Sequence, residues 1–266
     1  MFVKEEVGKM AEHGNEHSHN DAEVFFRDQN VVMKRIYEDG VERFIESVVN
    51  LEHAFEMNNG VVSCIDEGTP HGDIRFAGSG ILKEDILDTL ERLKKDGELS
   101  CITSHDECGA AKLFAAKNGK DPSRADQYAR VMLKELAEEL GVRHEHIAIR
   151  DMKRPSGMHV ARVIYYDGTG KFNPSRNAML PKGFVISRFF HRDAEDALNE
   201  TNIALDIALG AHGFGDLVTQ KAPLVVIAVG NPRDVKFSQF RLKMELRPLV
   251  RNYKNRVILD GFTAPA

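Results

Sequence analysis

The sequence predicts an α/β fold in which a mostly parallel β-sheet is flanked by helices. Short apolar runs such as residues 60–65 and 99–103 have the length and composition of buried strands. Between them, residues 83–95 place apolar side chains on one face at helical spacing, and Gly97 follows as a helix end. Strands that alternate with helices in this way are typical of parallel sheets covered by helices.

The beginning of the chain is polar and then becomes helical. Residues 1–20 are interpreted as a polar arm containing histidines, either a solvated segment or a weak metal-scavenging tract. From residue 21 to residue 57, apolar residues recur at three- and four-residue steps, which indicates helices with a break at Gly40.

Two further regions follow this helical segment. We expect residues 21–172 to form the main domain and residues 173–266 to form an α/β extension of it or a small subdomain. In the main domain, helices are predicted at residues 83–95, 110–117 and 123–141, and strands at residues 60–65, 99–103, 147–149 and 160–166. In the extension, a strand at residues 183–189, a helix at 194–209 and a strand at 223–229 are predicted. Their order repeats that of residues 72–103, so an internal duplication is one interpretation.

Charge and composition restrict the partners that the chain is expected to have. Its 266 residues carry 36 Lys and Arg against 41 Asp and Glu, a formal net charge of −5, and no basic face stands out. This argues against nucleic acid or an anionic membrane as the main partner. No apolar run approaches the roughly 18 residues of a membrane-spanning helix, and the N-terminus lacks the apolar core of a signal peptide. We therefore expect a cytoplasmic protein that acts on a small-molecule substrate.

Two short segments place metal-binding residue types directly after predicted strands. Cys64 and Asp66 follow the first strand, and His105 and Cys108 follow the next one. Sites in parallel sheets form at the carboxyl ends of the strands, and two thiolates with an imidazole are a ligand set that Zn²⁺ favours. Three protein ligands leave a fourth position for water or for Asp66. The sequence therefore predicts a zinc site.

Other interpretations of these and neighbouring residues remain open at this point. His105 alone could cap a helix, Cys108 could be a buried apolar thiol, and Cys101 is expected to be one. Glu67 and His71 flank the predicted site, either as solvated loop residues or as proton shuttles. His159 begins a predicted strand and has no partner that the sequence identifies.

Three segments resemble the β-class carbonic anhydrases. The signature of that family is a strand ending in Cys-x-Asp-x-Arg, then an Arg-Asn-Ala-Gly-Asn-like loop, then a strand ending in His-x-x-Cys-Gly. The corresponding segments here are Cys64-Ile65-Asp66, Arg75-Phe76-Ala77-Gly78-Ser79 and His105-Asp106-Glu107-Cys108-Gly109. Residues 163–172 also look like the last core strand and turn of the family, so the resemblance spans residues 21–172.

The resemblance implies that Cys64, His105 and Cys108 bind Zn²⁺. Asp66 would either take the fourth coordination position or accept a hydrogen bond from zinc-bound water. Zinc lowers the pKa of bound water toward about 7, and in the family the resulting hydroxide attacks CO₂ to give bicarbonate. The implied activity is that of a zinc lyase acting on CO₂ or on a related small electrophile such as COS or CS₂. A homodimer or higher homo-oligomer is also implied, with the helical region 21–57 packed on a partner subunit.

One residue departs from the pattern of the family. An arginine two residues after the aspartate there holds the carboxylate away from the metal, whereas this chain has Gly68. Arg75 is the candidate to replace that guanidinium, and Asp66 and Arg75 are the candidate catalytic residues. Without a replacement, Asp66 would bind zinc and close the site. The alternatives are a non-catalytic zinc-binding protein with a closed Cys₂-His-Asp site in a structural or sensing role, and a thiol-based redox protein using Cys64 and Cys108.

Overall fold

The computed structural model describes residues 16–56, 60–70, 72–253 and 255–266. Most of the polar arm expected at residues 1–20 lies outside the described residues, as does His71; the first helix begins within the arm, at Glu16.

The described residues form two four-stranded sheets in which every neighbouring pair is parallel, and this confirms the predicted α/β class. The first sheet has the order β2–β1–β3–β4 and the second the order β6–β5–β7–β8. The strands are β1 (Val61–Cys64), β2 (Ile74–Phe76), β3 (Cys101–His105), β4 (Arg143–Ile147), β5 (Val163–Asp167), β6 (Gly183–Ile186), β7 (Leu224–Gly230) and β8 (Val257–Thr263).

Helices connect the strands and cover the sheets. They are α1 (Glu16–Asp28), α2 (Asn30–Asp39), α3 (Val41–Glu46), α4 (Ile86–Lys95), α5 (Gly109–Lys117), α6 (Ala125–Leu140), α7 (Ala194–Leu209) and α8 (Gln239–Val250). The predicted break at Gly40 separates α2 from α3, and its φ of +81° is a conformation that glycine adopts without steric cost. Helix α4 buries Leu90 and Leu93 on the face that the sequence pattern indicates.

Two hydrophobic clusters hold these layers together. The larger one joins side chains of both sheets with apolar positions of α4 to α8. The smaller one packs Met33 and Ile36 of α2 and Phe44 of α3 against Tyr165 and Val225 of the second sheet. The N-terminal helices therefore cover the second sheet of their own chain.

Two predicted strands are present but differ from the expectation, one in the sheet to which it belongs and the other in its bounds. The strand expected at residues 160–166 appears as β5, and it is an inner strand of the second sheet, paired with β6 and β7. The strand expected at residues 147–149 begins earlier, as β4. Exposed and partly buried side chains alternate along β4, because it is the outermost strand of its sheet. Because the sequence of β4 is polar, a search for apolar runs does not find this strand.

Among the described residues, no helix combines the length and the apolar character needed to cross a membrane.

Candidate metal centre

Three predicted ligands meet at the carboxyl ends of two neighbouring strands. Cys64 is the last residue of β1, His105 is the last residue of β3, and these strands pair in parallel. Cys108 lies in the turn after β3 and directly precedes α5. All three side chains are buried, and their ligand atoms lie within 4.8 Å of one another. The parallel pairing explains why residues 41 positions apart in sequence, Cys64 and His105, converge.

The hydrogen bonds of the three residues leave a gap that a cation would fill. His105 Nδ1 lies 2.8 Å from the backbone oxygen of Asp106, whereas Nε2 is buried without a hydrogen-bond partner among the described residues. The Gly78 N–H donates to Cys64 Sγ over 3.2 Å. A backbone carbonyl that fixes one ring nitrogen while the other stays free is the usual setting of a metal-binding histidine. This donor set therefore fits a buried metal ion, and two thiolates with an imidazole favour zinc.

Electrostatics also favour a cation at this point. The hydrogen bond from the Cys108 thiol, with the charge of His105, lowers the pKa of Cys64 well below its ordinary value despite burial. The same hydrogen bond and burial raise the pKa of Cys108. Burial opposes the charging of His105, but the Cys64 thiolate outweighs it and raises the pKa of that imidazole to about 9. The surroundings thus favour the charged forms of Cys64 and His105 and the neutral thiol of Cys108.

Asp66 lies beside these ligands, and its carboxylate is held on the far side by Arg154. Asp66 Oδ2 is 4.0 Å from His105 Nε2. Arg154 Nε donates to both carboxylate oxygens, at 3.1 and 3.0 Å, and the Gly68 N–H donates over 2.7 Å. Burial opposes ionisation of Asp66, but the charges of His159, His105 and Arg154 outweigh it and lower the pKa of the carboxyl to about 2.

Arg154 reaches Asp66 through the space above Gly68. A Cβ added to Gly68 would lie 2.5 Å from Arg154 Cγ and 3.1 Å from Asp66 Oδ1. A side chain at position 68 and the arginine at position 154 would therefore occupy the same space. The glycine was visible in the sequence as a departure, but the sequence alone did not identify Arg154 as the source of the guanidinium.

Arg75 is buried nearby and binds the backbone. Its Nη1 donates to the carbonyl oxygens of Cys64 and Asp66, at 3.0 and 3.2 Å, and to the Thr69 hydroxyl. Burial lowers the pKa of Arg75 to about 10. Arg75 thus holds the turn that carries Cys64 and Asp66, while Arg154 makes the hydrogen bonds to the Asp66 carboxylate.

Arg154 is held in turn by the loop between β3 and α5. Its Nη1 lies 3.3 Å from Glu107 Oε2, and its Nη2 donates to the Glu107 carbonyl over 3.4 Å. Glu107 also accepts from the Gly157 N–H at 2.7 Å. The Lys153 N–H donates to the Gly68 carbonyl over 2.7 Å. Since Glu107 lies between His105 and Cys108, these bonds tie Asp66 to the ligand-bearing turn.

Glu67 and His159 form a second buried pair at the site. His159 Nδ1 lies 3.0 Å from Glu67 Oε2, and the Val160 N–H donates to Glu67 Oε1 over 2.6 Å. The interpretation of Glu67 as a solvated loop residue is therefore wrong, because the turn folds inward toward residues 159 and 160. Asp66, Glu67 and His159 also bring three ligand atoms within 4.8 Å of one another. The Arg154 guanidinium already supplies positive charge to this group, so we interpret it as an ion-pair network.

A small cavity adjoins the candidate ligands. Its volume is about 10 Å³, which on this measure accommodates a single water-sized molecule. The lining residues are Cys64, Ile65, Asp66, Gly109, Ala110, His159, Phe184, Ile203 and Ile207. Most of this lining is apolar, whereas Cys64 and Asp66 supply the polar side near the ligands. The cavity therefore suits a very small, weakly polar molecule.

Comparisons with protein-family models, with curated proteins and with solved structures find no match to this chain.

Proposed function

We propose that this chain is a zinc-dependent lyase of the β-carbonic-anhydrase type, which hydrates CO₂ to bicarbonate or converts a related small electrophile such as COS or CS₂. The observation that best supports this proposal is the hydrogen-bonded pair of Arg154 and Asp66, which lies beside the cluster of Cys64, His105 and Cys108. Three ligands with a fourth carboxylate held by an arginine leave one coordination position for water, which is the feature of catalytic zinc sites.

Each residue has a defined task in this proposal. Cys64, His105 and Cys108 would hold the ion, which supplies a water of lowered pKa as the nucleophile. Asp66, ionised over the whole neutral range because its pKa is about 2, would accept a hydrogen bond from that water and orient it. Arg154 would keep the carboxylate in this orientation.

The cavity supports a substrate of few atoms. Ile65, Ala110 and Phe184 would offer CO₂ an apolar surface beside Cys64. An oriented nucleophile next to an apolar pocket for a small electrophile is an arrangement that accelerates addition. The predicted homo-oligomer stays a prediction.

The test is stopped-flow CO₂ hydration on protein of known zinc content, with Asp66→Asn and Asp167→Asn compared. Asp167 is also buried and also accepts a hydrogen bond from the N–H two residues later, but it lies in the second sheet. We expect turnover with about one zinc per chain, lost in Asp66→Asn and kept in Asp167→Asn. Stoichiometric zinc without turnover between about pH 7 and 9 would contradict the proposal for CO₂.

A closed, non-catalytic zinc site is the second candidate. Asp66 Oδ2 lies only 4.0 Å from His105 Nε2, so a modest rotation away from Arg154 would bring it within reach of the ion. X-ray absorption on the zinc-loaded chain separates the two candidates. A carboxylate as fourth ligand at neutral pH would favour the structural or sensing role.

A further inference from the structure

The two sheets have the same topology. Replacing each strand of the order β2–β1–β3–β4 by the strand four places later in the chain gives the order β6–β5–β7–β8 of the second sheet. The connections agree as well, because α4 joins β2 to β3 and α7 joins β6 to β7. Both sheets are parallel throughout. We call residues 61–147 the first unit and residues 163–263 the second unit.

A shared turn aligns the two units. Asp66 follows β1, and its Oδ1 accepts the N–H of Gly68 over 2.7 Å. Asp167 ends β5, and its Oδ1 accepts the N–H of Thr169 over 2.8 Å. Both aspartates are buried. The same side-chain turn after the corresponding strand therefore places Asp167 in the position of Asp66.

The second unit carries no copy of the metal ligands. In this alignment the position of Cys64 is taken by Tyr165, two residues before the aspartate. The strand registers then place Ala228 of β7 at the position of His105. All three cysteines of the chain lie in the first unit. The second unit thus keeps the topology and the turn without the chemistry.

The two units contact each other between corresponding strands. The contact runs between β2 and β6, which hold the same place in their sheets. The Ser187 N–H donates to the Arg75 carbonyl over 3.1 Å, and the Arg75 N–H donates to Ser187 Oγ over 2.9 Å. The Val185 N–H donates to the Ile65 carbonyl over 3.1 Å. The corresponding strands of the two units thus lie side by side and are joined by backbone hydrogen bonds.

The second unit also closes the cavity of the first. Phe184 of β6 and Ile203 and Ile207 of α7 line it, opposite Cys64. The fit is close, since a Cβ added to Gly109 would lie 3.3 Å from Ile207 Cδ1. Small side chains on the first unit thus face bulky apolar ones on the second.

We infer that the chain is a duplicated unit whose second copy serves as the wall of the first copy's site, with Phe184, Ile203 and Ile207 setting the largest molecule that reaches Cys64. This inference deepens the proposed function, and it depends on that function only for the identity of the reaction. The substrate class of the site is restricted to very small molecules, because the cavity holds about one water-sized molecule.

The test measures access to Cys64 with thiol reagents of different size on the full chain after metal removal. Cys64 lines the cavity, so its rate of modification by a thiol reagent reports access past the wall. The chain is treated with iodoacetamide or N-phenylmaleimide, and modification is assigned by peptide mapping. The measured quantity is the rate at Cys64 divided by the rate at Cys101, a buried thiol of β3. General loosening of the fold exposes both thiols and leaves this ratio little changed.

The variants are Ile207→Ala and, as matched control, Leu198→Ala. Both residues are half-buried apolar positions of α7, but Leu198 does not line the cavity. We expect Ile207→Ala to raise the ratio for N-phenylmaleimide at least about tenfold over the parent chain, because the removed side chain opens the wall. Leu198→Ala should stay within about twofold of the parent. Equal ratios in the two variants would overturn the inference.

A second experiment, in which Zn²⁺ is added before the reagent, tests the metal site separately from the role of the wall. Zn²⁺ added before the reagent should protect Cys64 if the ion binds there, since a coordinated thiolate is a poor nucleophile toward these reagents. Absence of protection would count against the metal site alone. The comparison of Ile207→Ala with Leu198→Ala decides the role of the wall in either case.

Discussion

The stem of Arg154 occupies the space that a side chain at position 68 would need. A Cβ on Gly68 would lie 2.5 Å from Arg154 Cγ, and the Arg154 guanidinium pairs with Asp66 two residues before the glycine. The residues at positions 68 and 154 are therefore coupled by sterics. The glycine makes room for an arginine that comes from a distant part of the sequence.

This coupling predicts a non-additive double-mutant cycle. Gly68→Ala should lower the free energy of unfolding by about 1–3 kcal/mol, because the added methyl group overlaps the Arg154 stem. Arg154→Ala should cost about 3–5 kcal/mol, since it leaves the Asp66 carboxylate buried without its guanidinium. In the Arg154→Ala background, Gly68→Ala should cost close to nothing. Urea denaturation of the four proteins measures the cycle, and additive values would disprove the steric coupling.

Arg154 should also decide whether the fourth coordination position stays open. With Co²⁺ in place of zinc, Arg154→Ala should change the visible spectrum, because the freed Asp66 carboxylate can replace water at the ion. CO₂ hydration should fall by about 10²-fold or more. The Gly68→Arg, Arg154→Ala double variant, which supplies the guanidinium from position 68, should recover part of the activity and the parent spectrum. A spectrum unchanged in Arg154→Ala would show that Arg154 does not position Asp66.

The grouping of Cys64, His105 and Cys108 could be predicted from the sequence because each residue ends or follows a strand of the predicted parallel sheet. Cys64 and His105 end parallel neighbouring strands, so their convergence follows from the strand order, and Cys108 is only three residues further. The burial of Leu90 in α4 was also predictable, since helical periodicity is a short-range pattern. The helical pattern is local, and the grouping of the three residues needs only the general rule that sites form at the carboxyl ends of parallel strands.

The supporting residues depend on packing between distant segments and were therefore not predictable. Arg154 lies 88 positions from Asp66, on a loop without regular periodicity. The partnership of Glu67 with His159 spans 92 positions. The apolar wall residue Ile207 looked like an ordinary helix position in sequence, because periodicity does not say which cavity a helix face covers.

Metal binding should release protons in an amount set by the charge state of the metal-free site. In that site the pKa of Cys64 is lowered, which favours its thiolate, the pKa of Cys108 is raised, which favours its thiol, and the pKa of His105 is raised to about 9, which favours its imidazolium. Zinc binds two thiolates and a neutral imidazole, so about two protons should leave per ion. Calorimetry in buffers of different ionisation enthalpy measures this number. His105→Ala should reduce it by about one, and release near zero would contradict this charge state.

The two corresponding aspartates should give opposite dependences of stability on pH in the metal-free chain. The pKa of Asp66 is lowered to about 2, so its contribution is fully present above its unfolded value near 4 and is lost as pH falls toward 2. Burial raises the pKa of Asp167 to about 6, despite the hydrogen bonds from Thr169. The folded state therefore binds the Asp167 proton more tightly than the unfolded state, and stability falls as pH rises from about 4 to about 6.

Asparagine substitutions separate the two contributions. Between pH 4 and pH 6, the free energy of unfolding of the parent chain should fall by about 2–3 kcal/mol as Asp167 ionises. Asp167→Asn should not show this fall, because the amide does not ionise. On acidification below pH 4, the free energy of unfolding of the parent chain should fall by about 2 kcal/mol as Asp66 is protonated, and Asp66→Asn should not show this fall. Between pH 4 and pH 6, Asp66→Asn should have the same pH dependence as the parent chain. Urea denaturation of the chelator-treated proteins across pH 2.5–7 measures both slopes. The surroundings of the two carboxyl groups differ, because Asp66 faces the cations Arg154 and His159, whereas the described partners of Asp167 are hydrogen-bond donors without charge. Parallel pH profiles of the two variants would show that the two aspartates have similar pKa values, and would contradict this assignment.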